Sequence, residues 1–259
     1  MKVVIIGSGN VASVLGRLFV KNGHQVIQVV SRNVAHARIL GEALNCAYTN
    51  EMAEIDQHAS LYVLAVSDIV LYNLKGHIHF ENKLVLHTAG SVPNDVLKEV
   101  SANYGVLYPM QSLRKEMEYP QEIPFLIDGN TEETIREIED FAKTLSSSVT
   151  RANDTERLKL HVAAVIVSNF TNHLYALAAS FCEKEKIDFK LLFPLIKETA
   201  ERIDRISPVD AQTGPAVRND LFTLDKHIRL LADYPQLKNI YLKITESIVK
   251  GVDPILPEK

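Results

Sequence analysis

The stretch that most constrains this chain is its first dozen residues, MKVVIIGSGNVA. A short apolar run, Val3 to Ile6, breaks into Gly7-Ser8-Gly9-Asn10-Val11-Ala12 and then into a helix-like segment, Ser13 to Asn22. Each position in the break has a physical duty. Gly7 allows a tight turn, Gly9 carries no side chain to block a close approach, and Ala12 lets helix and strand pack closely. The helix start offers N–H groups that have no partner within the helix. Strand, Gly-rich turn and helix in this order form the G-x-G-x-x-G/A pattern that cradles a dinucleotide pyrophosphate. The plainer alternative is an ordinary turn between a strand and a helix.

The chain beyond it sustains the pattern. Gln25 to Val30 reads as a second strand, and Val34 to Leu44 as a helix followed by an extended piece near Ala47-Tyr48. Leu61 to Val66 is a fully apolar strand, and Lys83 to His87, Gly105 to Met110, Ile123 to Ile127 and Ser147 to Thr150 add further strands. A helix is expected over Thr131 to Leu145. Strands alternating with helices predict an α/β fold built on a doubly wound, mostly parallel Rossmann sheet. Near Ala152-Asn153-Asp154 the character changes, and only helices are expected afterwards. These are a long apolar one over Thr155 to Lys184, one over Phe189 to Ile206 that Pro194 would kink, and two over about Asn219 to Ala232 and Gln236 to Lys250. The domains are therefore expected as 1–152, a nucleotide-binding Rossmann domain, and 153–259, an all-α helical domain. A helix apolar on most sides is normally buried in a domain or an oligomer.

Ligands of a doubly wound sheet lie at the carboxyl ends of its strands. That places Ala65, Val66, Ser67 and Asp68 along a cofactor, although Asp68 also suits the N-cap of the next helix. At the end of the second strand stand Ser31 and Arg32, where an NAD-preferring chain usually has an acidic residue for the ribose 2′-OH. A hydroxyl and a guanidinium suit a 2′-phosphate instead, so NADP is the expected cofactor, with a solvated surface arginine as the alternative. Thr88, Ser91, Gln111 and Ser112 follow strand ends in the same way and are expected to line the floor of a substrate site.

Composition excludes little beyond this. A chain of 259 residues with net charge −4 carries no basic footprint, so neither nucleic acid nor an acidic membrane surface is an expected partner. No apolar stretch reaches the roughly 20 residues needed to span a bilayer, and no secretory signal pattern opens the chain, so a cytoplasmic protein is expected. Cys46 and Cys182 form no CxxC and no ligand spacing, and no metal site is expected. Neither a P-loop, nor a nucleophile elbow, nor an HExxH is present, which narrows an enzymatic reading to cofactor chemistry.

The long helix carries polar residues where apolar ones would pack better. At about 100° per residue, His161, Ser168 and Asn172 fall on one stripe, and Asn169 lies about 80° off it. Such groups, if buried, must be hydrogen-bonded or face a ligand, since each unpaired one costs about 1–3 kcal/mol. One reading is a hydrogen-bond network between helices or subunits. The other places the stripe beside a nicotinamide, with His161 moving a proton during hydride transfer and Asn169 orienting the substrate. His87, at a strand end, fits either a site or a capped core histidine.

GSGNVA, SRN and AVSD resemble the NADP-binding domain of pyrroline-5-carboxylate reductases and deazaflavin-dependent NADP oxidoreductases. Together with HTAGS (87–91), YPMQS (108–112), HVAAVIVSNF (161–170) and TGPAVRND (213–220), nearly the whole chain is similar to bacterial Rossmann-like NADP oxidoreductases whose C-terminal half is a domain of unknown function. The resemblance implies a helical dimerisation domain of the 6-phosphogluconate dehydrogenase type and cofactor contacts by Gly7, Ser8, Gly9, Asn10, Val11, Ser31, Arg32, Ala65, Val66 and Ser67. The Lys and Asn that β-hydroxyacid dehydrogenases set one turn apart do not both carry over: Lys159 is present, but Val162 and Ala163 follow it. The expected function is hydride transfer between NADP(H) and a small molecule, with Ser168 in the substrate site and Arg218 binding a substrate anion. A non-catalytic NADP(H) sensor or scaffold is the alternative, and the helix stripe divides the two: an enzyme needs it open to a cleft.

Overall fold

The computed structural model describes residues 1–74, 76–117 and 122–251. The chain divides into two compact units, Met1–Phe170 and Thr171–Lys259, each described by itself here.

In the first unit eight strands form one sheet. They are β1 (Lys2–Ile6), β2 (Gln25–Val30), β3 (Ala47–Thr49), β4 (Leu61–Leu64), β5 (Leu84–His87), β6 (Asn103–Pro109), β7 (Phe125–Gly129) and β8 (Val149–Arg151). Their order across the sheet is β3-β2-β1-β4-β5-β6-β7-β8, and every pair is parallel except β6 with β7. This is the α/β, mostly parallel Rossmann architecture the alternation predicts. The central strands β1, β4 and β5 are runs of Val, Leu, Ile and Tyr, save exposed Lys2 at the start of β1 and buried His87 at the end of β5, because both of their faces are covered.

The helices of this unit are α1 (Asn10–Lys21), α2 (Val34–Leu44), α3 (Asp68–Tyr72), α4 (Glu132–Lys143) and α5 (Asp154–Ala164). On one sheet face Ala12, Leu15 and Phe19 of α1, Leu40 and Leu44 of α2 and Ile138 and Phe141 of α4 close over Val3, Ile5, Val29 and Leu86. On the other, Leu71, Leu74, Val96 and Leu97 close over Val4, Ile6, Tyr62 and Val85. Side chains cap three of the helix starts: Asn33 accepts from the His36 N–H, Thr131 from the Thr134 N–H, and Asn153 forms a capping box with Glu156 that starts α5. Asp68 is not a cap: Ser67 holds that position, and Asp68 is the first helical residue.

The long helix is helical as expected from Asp154 to Lys184, but not uniformly α. Val165–Phe170 winds as a π-helix before α6 (Thr171–Lys184) resumes. The expectation that no segment is long and apolar enough to cross a membrane is corrected here. This 31-residue stretch has an 18-residue window of mean hydropathy 1.3, with none of that window buried. An average over polar interruptions such as His161, Ser168 and Asn169 passes a test that a search for an unbroken apolar run does not.

Helices are the regular elements of the second unit's described residues: α6, α7 (Phe193–Arg202), α8 (Leu221–Leu230) and α9 (Pro235–Lys250), with 3₁₀ turns at Phe189–Leu192 and Leu231–Asp233. Pro194 does not kink a helix; it sits in the first turn of α7, where its missing N–H costs nothing. The stretch before α8 is a series of turns, and Asp220 caps α8 by accepting from the Thr223 N–H.

Candidate active site

The nucleotide-binding end is built at the carboxyl edge of β1. Gly7 has φ +124°, and a Cβ there would lie 2.1 Å from the Ala65 carbonyl oxygen, so no side chain fits between β1 and β4. Gly9 caps α1 without a side-chain hydrogen bond, and a Cβ on it would meet nothing within 4 Å. Open space therefore lies directly over the unpaired N–H groups of the first turn, Asn10 and Val11 included. Ser8 Oγ and Ser31 Oγ are 2.7 Å apart, tying the glycine loop to the end of β2, and Arg32 follows exposed. The arrangement fits a dinucleotide with a 2′-phosphate: N–H groups and a helix dipole for the pyrophosphate, a hydroxyl and a guanidinium for the phosphate. Val66 is half-buried and Ser67 exposed at the end of β4.

A cleft of about 530 Å³ opens from this end. Val11 of α1 lines it, with Thr88 beyond β5, Tyr108 to Ser112 at the end of β6, and one face of α5 and the π turn carrying His161, Ser168 and Asn169. The π turn places the polar stripe differently from an ideal α-helix. A π turn closes i→i+5 rather than i→i+4, adding about one residue to the turn. Asn169, about 80° out of line on an ideal α-helix, thereby joins His161 and Ser168 on the cleft, while Asn172 belongs to α6 of the second unit.

At the base of the cleft Tyr108 Oη and His161 Nδ1 are 3.0 Å apart, with the rings edge to face at 5.8 Å. Gly90 makes room for them. A Cβ on it would lie 2.7 Å from His161 Nδ1 and 3.0 Å from Tyr108 Cζ. Burial raises the Tyr108 pKa above the ordinary phenol value, and the Arg157 guanidinium opposes that rise. Arg157, one turn before His161, is only 1% exposed; its Nη2 donates to the Val92 carbonyl at 2.6 Å and to Asp154 Oδ1 at 2.7 Å, while Nη1 pairs with the Asp128 carboxylate at 3.9 Å and, like Nε, makes no hydrogen bond among the described residues. The same Asp154 oxygen accepts from the Asn94 N–H at 2.9 Å. This latch fixes the start of α5 against the segment after β5.

His87 resolves as a core histidine. It is fully buried, its Nδ1 accepts from the Ala89 N–H at 3.2 Å, and burial with the nearby Arg157 charge drives its pKa down to about 3. Ser91 is not on the cleft lining; its hydroxyl donates to the Asp68 carboxylate. Arg218 is exposed in the second unit. Tyr108 and Gly90 are the residues sequence reasoning missed. Both sit in motifs it quoted, YPMQS and HTAGS, but only the fold brings them to His161. An acidic hollow of about 680 Å³ near the start of α5 includes Asp95, Asp128, Asp154 and Glu156, yet no cluster able to hold a metal ion occurs among the described residues.

Comparison with known proteins gives this geometry a family. Residues 2–89 match the family described as NADP oxidoreductase coenzyme F420-dependent, and residues 123–248 match Domain of unknown function (DUF2520). A crystal structure of a "putative NADP oxidoreductase" from Bacteroides fragilis is 38% identical, covers 96% of this chain and 98% of its own, and superposes with a TM-score of 0.91. The chain belongs to this family of Rossmann-like NADP oxidoreductases. Membership makes it an NAD(P)-dependent oxidoreductase. The same fold recurs in a 1-pyrroline-5-carboxylate reductase from Streptococcus pyogenes, 15% identical over 96% of this chain and 98% of that one, TM-score 0.65. It recurs also in a reductive aminase from Aspergillus terreus in complex with NADPH and ethyl-5-oxohexanoate, 18% identical over 96% and 93%, TM-score 0.69. No curated protein matches the chain in sequence.

Proposed function

We propose that this NADP oxidoreductase family member transfers a hydride between NADP(H) and a small molecule held in the cleft of its first unit. One observation carries the reading: Val11, in the first turn after the glycine loop, lines the same cleft as His161, Ser168 and Asn169. A stripe open to a cleft beside the dinucleotide loop supports turnover rather than a sensor or scaffold role.

Gly7, Ser8, Gly9, Asn10 and Val11 hold the pyrophosphate end of the cofactor in this proposal. Ser31 and Arg32 hold the 2′-phosphate, and Ala65, Val66 and Ser67 form the wall beside it. When bound, the reduced cofactor supplies the hydride. His161 holds the proton that the reduced substrate gains, Asn169 and Ser168 orient the substrate by hydrogen bonds, and Thr88, Gln111 and Ser112 form the polar part of the floor. Ser91, engaged by Asp68, and Arg218, in the other unit, stay outside this scheme.

A homodimer through the helical unit belongs to the proposal. Among the described hydrophobic residues of that unit only Cys182, Ala216, Leu224 and Leu231 are buried, while Leu191, Leu195, Leu221 and Phe222 are each more than half exposed. A surface this apolar requires cover, and a second copy supplies it. Protein cover also suits the long apolar helix better than lipid does, because His161, Ser168 and Asn169 would be costly in a bilayer. The proposed compartment is the cytoplasm, where the free thiols of Cys46 and Cys182 stay reduced.

The test is to incubate the purified protein with NADPH and a panel of ketoacids, ketones, imines and an oxidised deazaflavin, following the nicotinamide absorbance. Loss of absorbance with at least one class is expected. Tight NADPH binding with no turnover across the panel would revive the sensor reading.

A further inference from the structure

The Tyr108–His161 contact has a direction that determines what the cleft is offered. Tyr108 Oη has one hydrogen-bond partner among the described residues, His161 Nδ1 at 3.0 Å. In the proposed direction the phenol gives its one proton to that partner, which satisfies the half-buried O–H within the protein. Burial keeps the phenol protonated through the neutral range. Nδ1 is then the acceptor, and a neutral imidazole whose Nδ1 accepts carries its proton on Nε2. Gly90 locks the pair from the other side, since any Cβ would press on Nδ1 and Cγ of the imidazole and on the phenol ring. His161 lines the cleft.

We propose that Tyr108 is the positioning residue for His161: it fixes the imidazole as the Nε2–H tautomer, so that His161 gives this proton to the oxygen or nitrogen that becomes negative as its neighbouring carbon gains hydride. This rests on the oxidoreductase reading for its use, though not for its geometry. The balance is simple. The Nε2–H bond breaks as the new O–H or N–H bond forms, the Tyr108 proton passes to Nδ1, and the phenolate left behind is re-protonated from water. Arg157, a buried permanent cation acting on Tyr108, stabilises that phenolate. Net consumption is one hydride from the reduced nicotinamide and one proton from solvent per double bond reduced.

The tautomer is measurable without any substrate. In nitrogen-15 NMR of the full chain at pH about 8, above the ordinary imidazole pKa, the His161 signals are assigned by their loss in His161→Gln. The expected wild-type pattern is a protonated Nε2 with a bare Nδ1. In Tyr108→Phe both tautomers should be populated, with NADPH affinity within about twofold of wild type as the check on folding. Gly90→Ala, which displaces the imidazole while keeping the hydroxyl, should mix the tautomers too. With a turned-over substrate, Tyr108→Phe should lower kcat on the order of tenfold with KM nearly unchanged. A wild-type His161 protonated on Nδ1, or a tautomer that ignores Tyr108→Phe, overturns the assignment. A tautomer that responds as expected in a protein with no turnover upholds the Tyr108–His161 assignment and counts against the oxidoreductase reading alone.

Discussion

The two compact units solve the same problem in opposite ways. The first closes its core within one chain: both faces of the sheet are roofed by helices, and the central strands are fully buried. The second leaves large apolar side chains such as Phe222 and Leu191 more than 70% exposed and buries few. The glycine loop thus stands on a scaffold whose core is closed within the chain, and the proposed dimer would use the helices whose apolar side chains stay exposed. The cleft belongs to the first unit because α5 and the π turn are anchored there by Arg157 and Asp154.

The strongest attempt to break this contrast is Gly7→Val. Its Cβ would lie 2.1 Å from the Ala65 carbonyl in a backbone that L side chains rarely adopt, so the first unit should lose about 4 kcal/mol or more, read as failure to fold cooperatively. Gly9→Ala, where a Cβ meets open space, should leave the melting temperature nearly unchanged and weaken NADPH instead. Arg157→Ala should cost about 3 kcal/mol in denaturant unfolding, because it empties the space of a fully buried side chain, takes the Val92 carbonyl's donor and leaves Asp154 without its ion pair. A loss below about 1 kcal/mol would show that the α5 latch is dispensable.

A pH series sharpens the same point. The folded first unit holds His87 neutral, with a pKa lowered from 6.5 to about 3. Between those values the unfolded chain binds a proton that the folded chain refuses. Stability from this group is therefore complete above pH 6.5 and falls as pH drops toward 3, by up to about 1.4 kcal/mol per unit. Thermal unfolding of His87→Gln should show a shallower acid loss than wild type over that window, and equal slopes would contradict the burial of His87.

The second unit answers to a different measurement. Phe222→Asp should leave the first unit's NADPH affinity intact while shifting sedimentation from dimer toward monomer. A wild-type monomer at micromolar concentration would break the contrast outright. The smallest structural effect, and the most selective, is expected of Arg32→Asp: melting temperature unchanged, NADPH affinity down by about 10–150-fold for the lost charge-assisted hydrogen bonds, NADH little affected.

Much of the first unit was legible because its signals are local. The apolar run before GSGNVA, the strand LYVLAV and the Asn153–Glu156 capping pair each declare an element within a few residues. The cleft was legible only in part. His161, Ser168 and Asn169 stand out as polar residues on an apolar helix, but a 3.6-residue period could not put Asn169 with the others, because a π turn leaves no periodic trace in six residues. Tyr108 looks like any strand-end aromatic until β6 lies beside α5. Arg157 reads as a solvated charge in a first helical turn, yet tertiary packing makes it one of the largest fully buried side chains.

The central claim is that the cofactor loop and the α5 residues serve one reaction in one cleft. NADPH binding and NADPH oxidation, compared between wild type and His161→Gln on the most active substrate of the panel, test it most directly. The account predicts equal affinity and a fall in kcat on the order of a hundredfold or more, the range for loss of a general acid. Unchanged kcat in His161→Gln would contradict it.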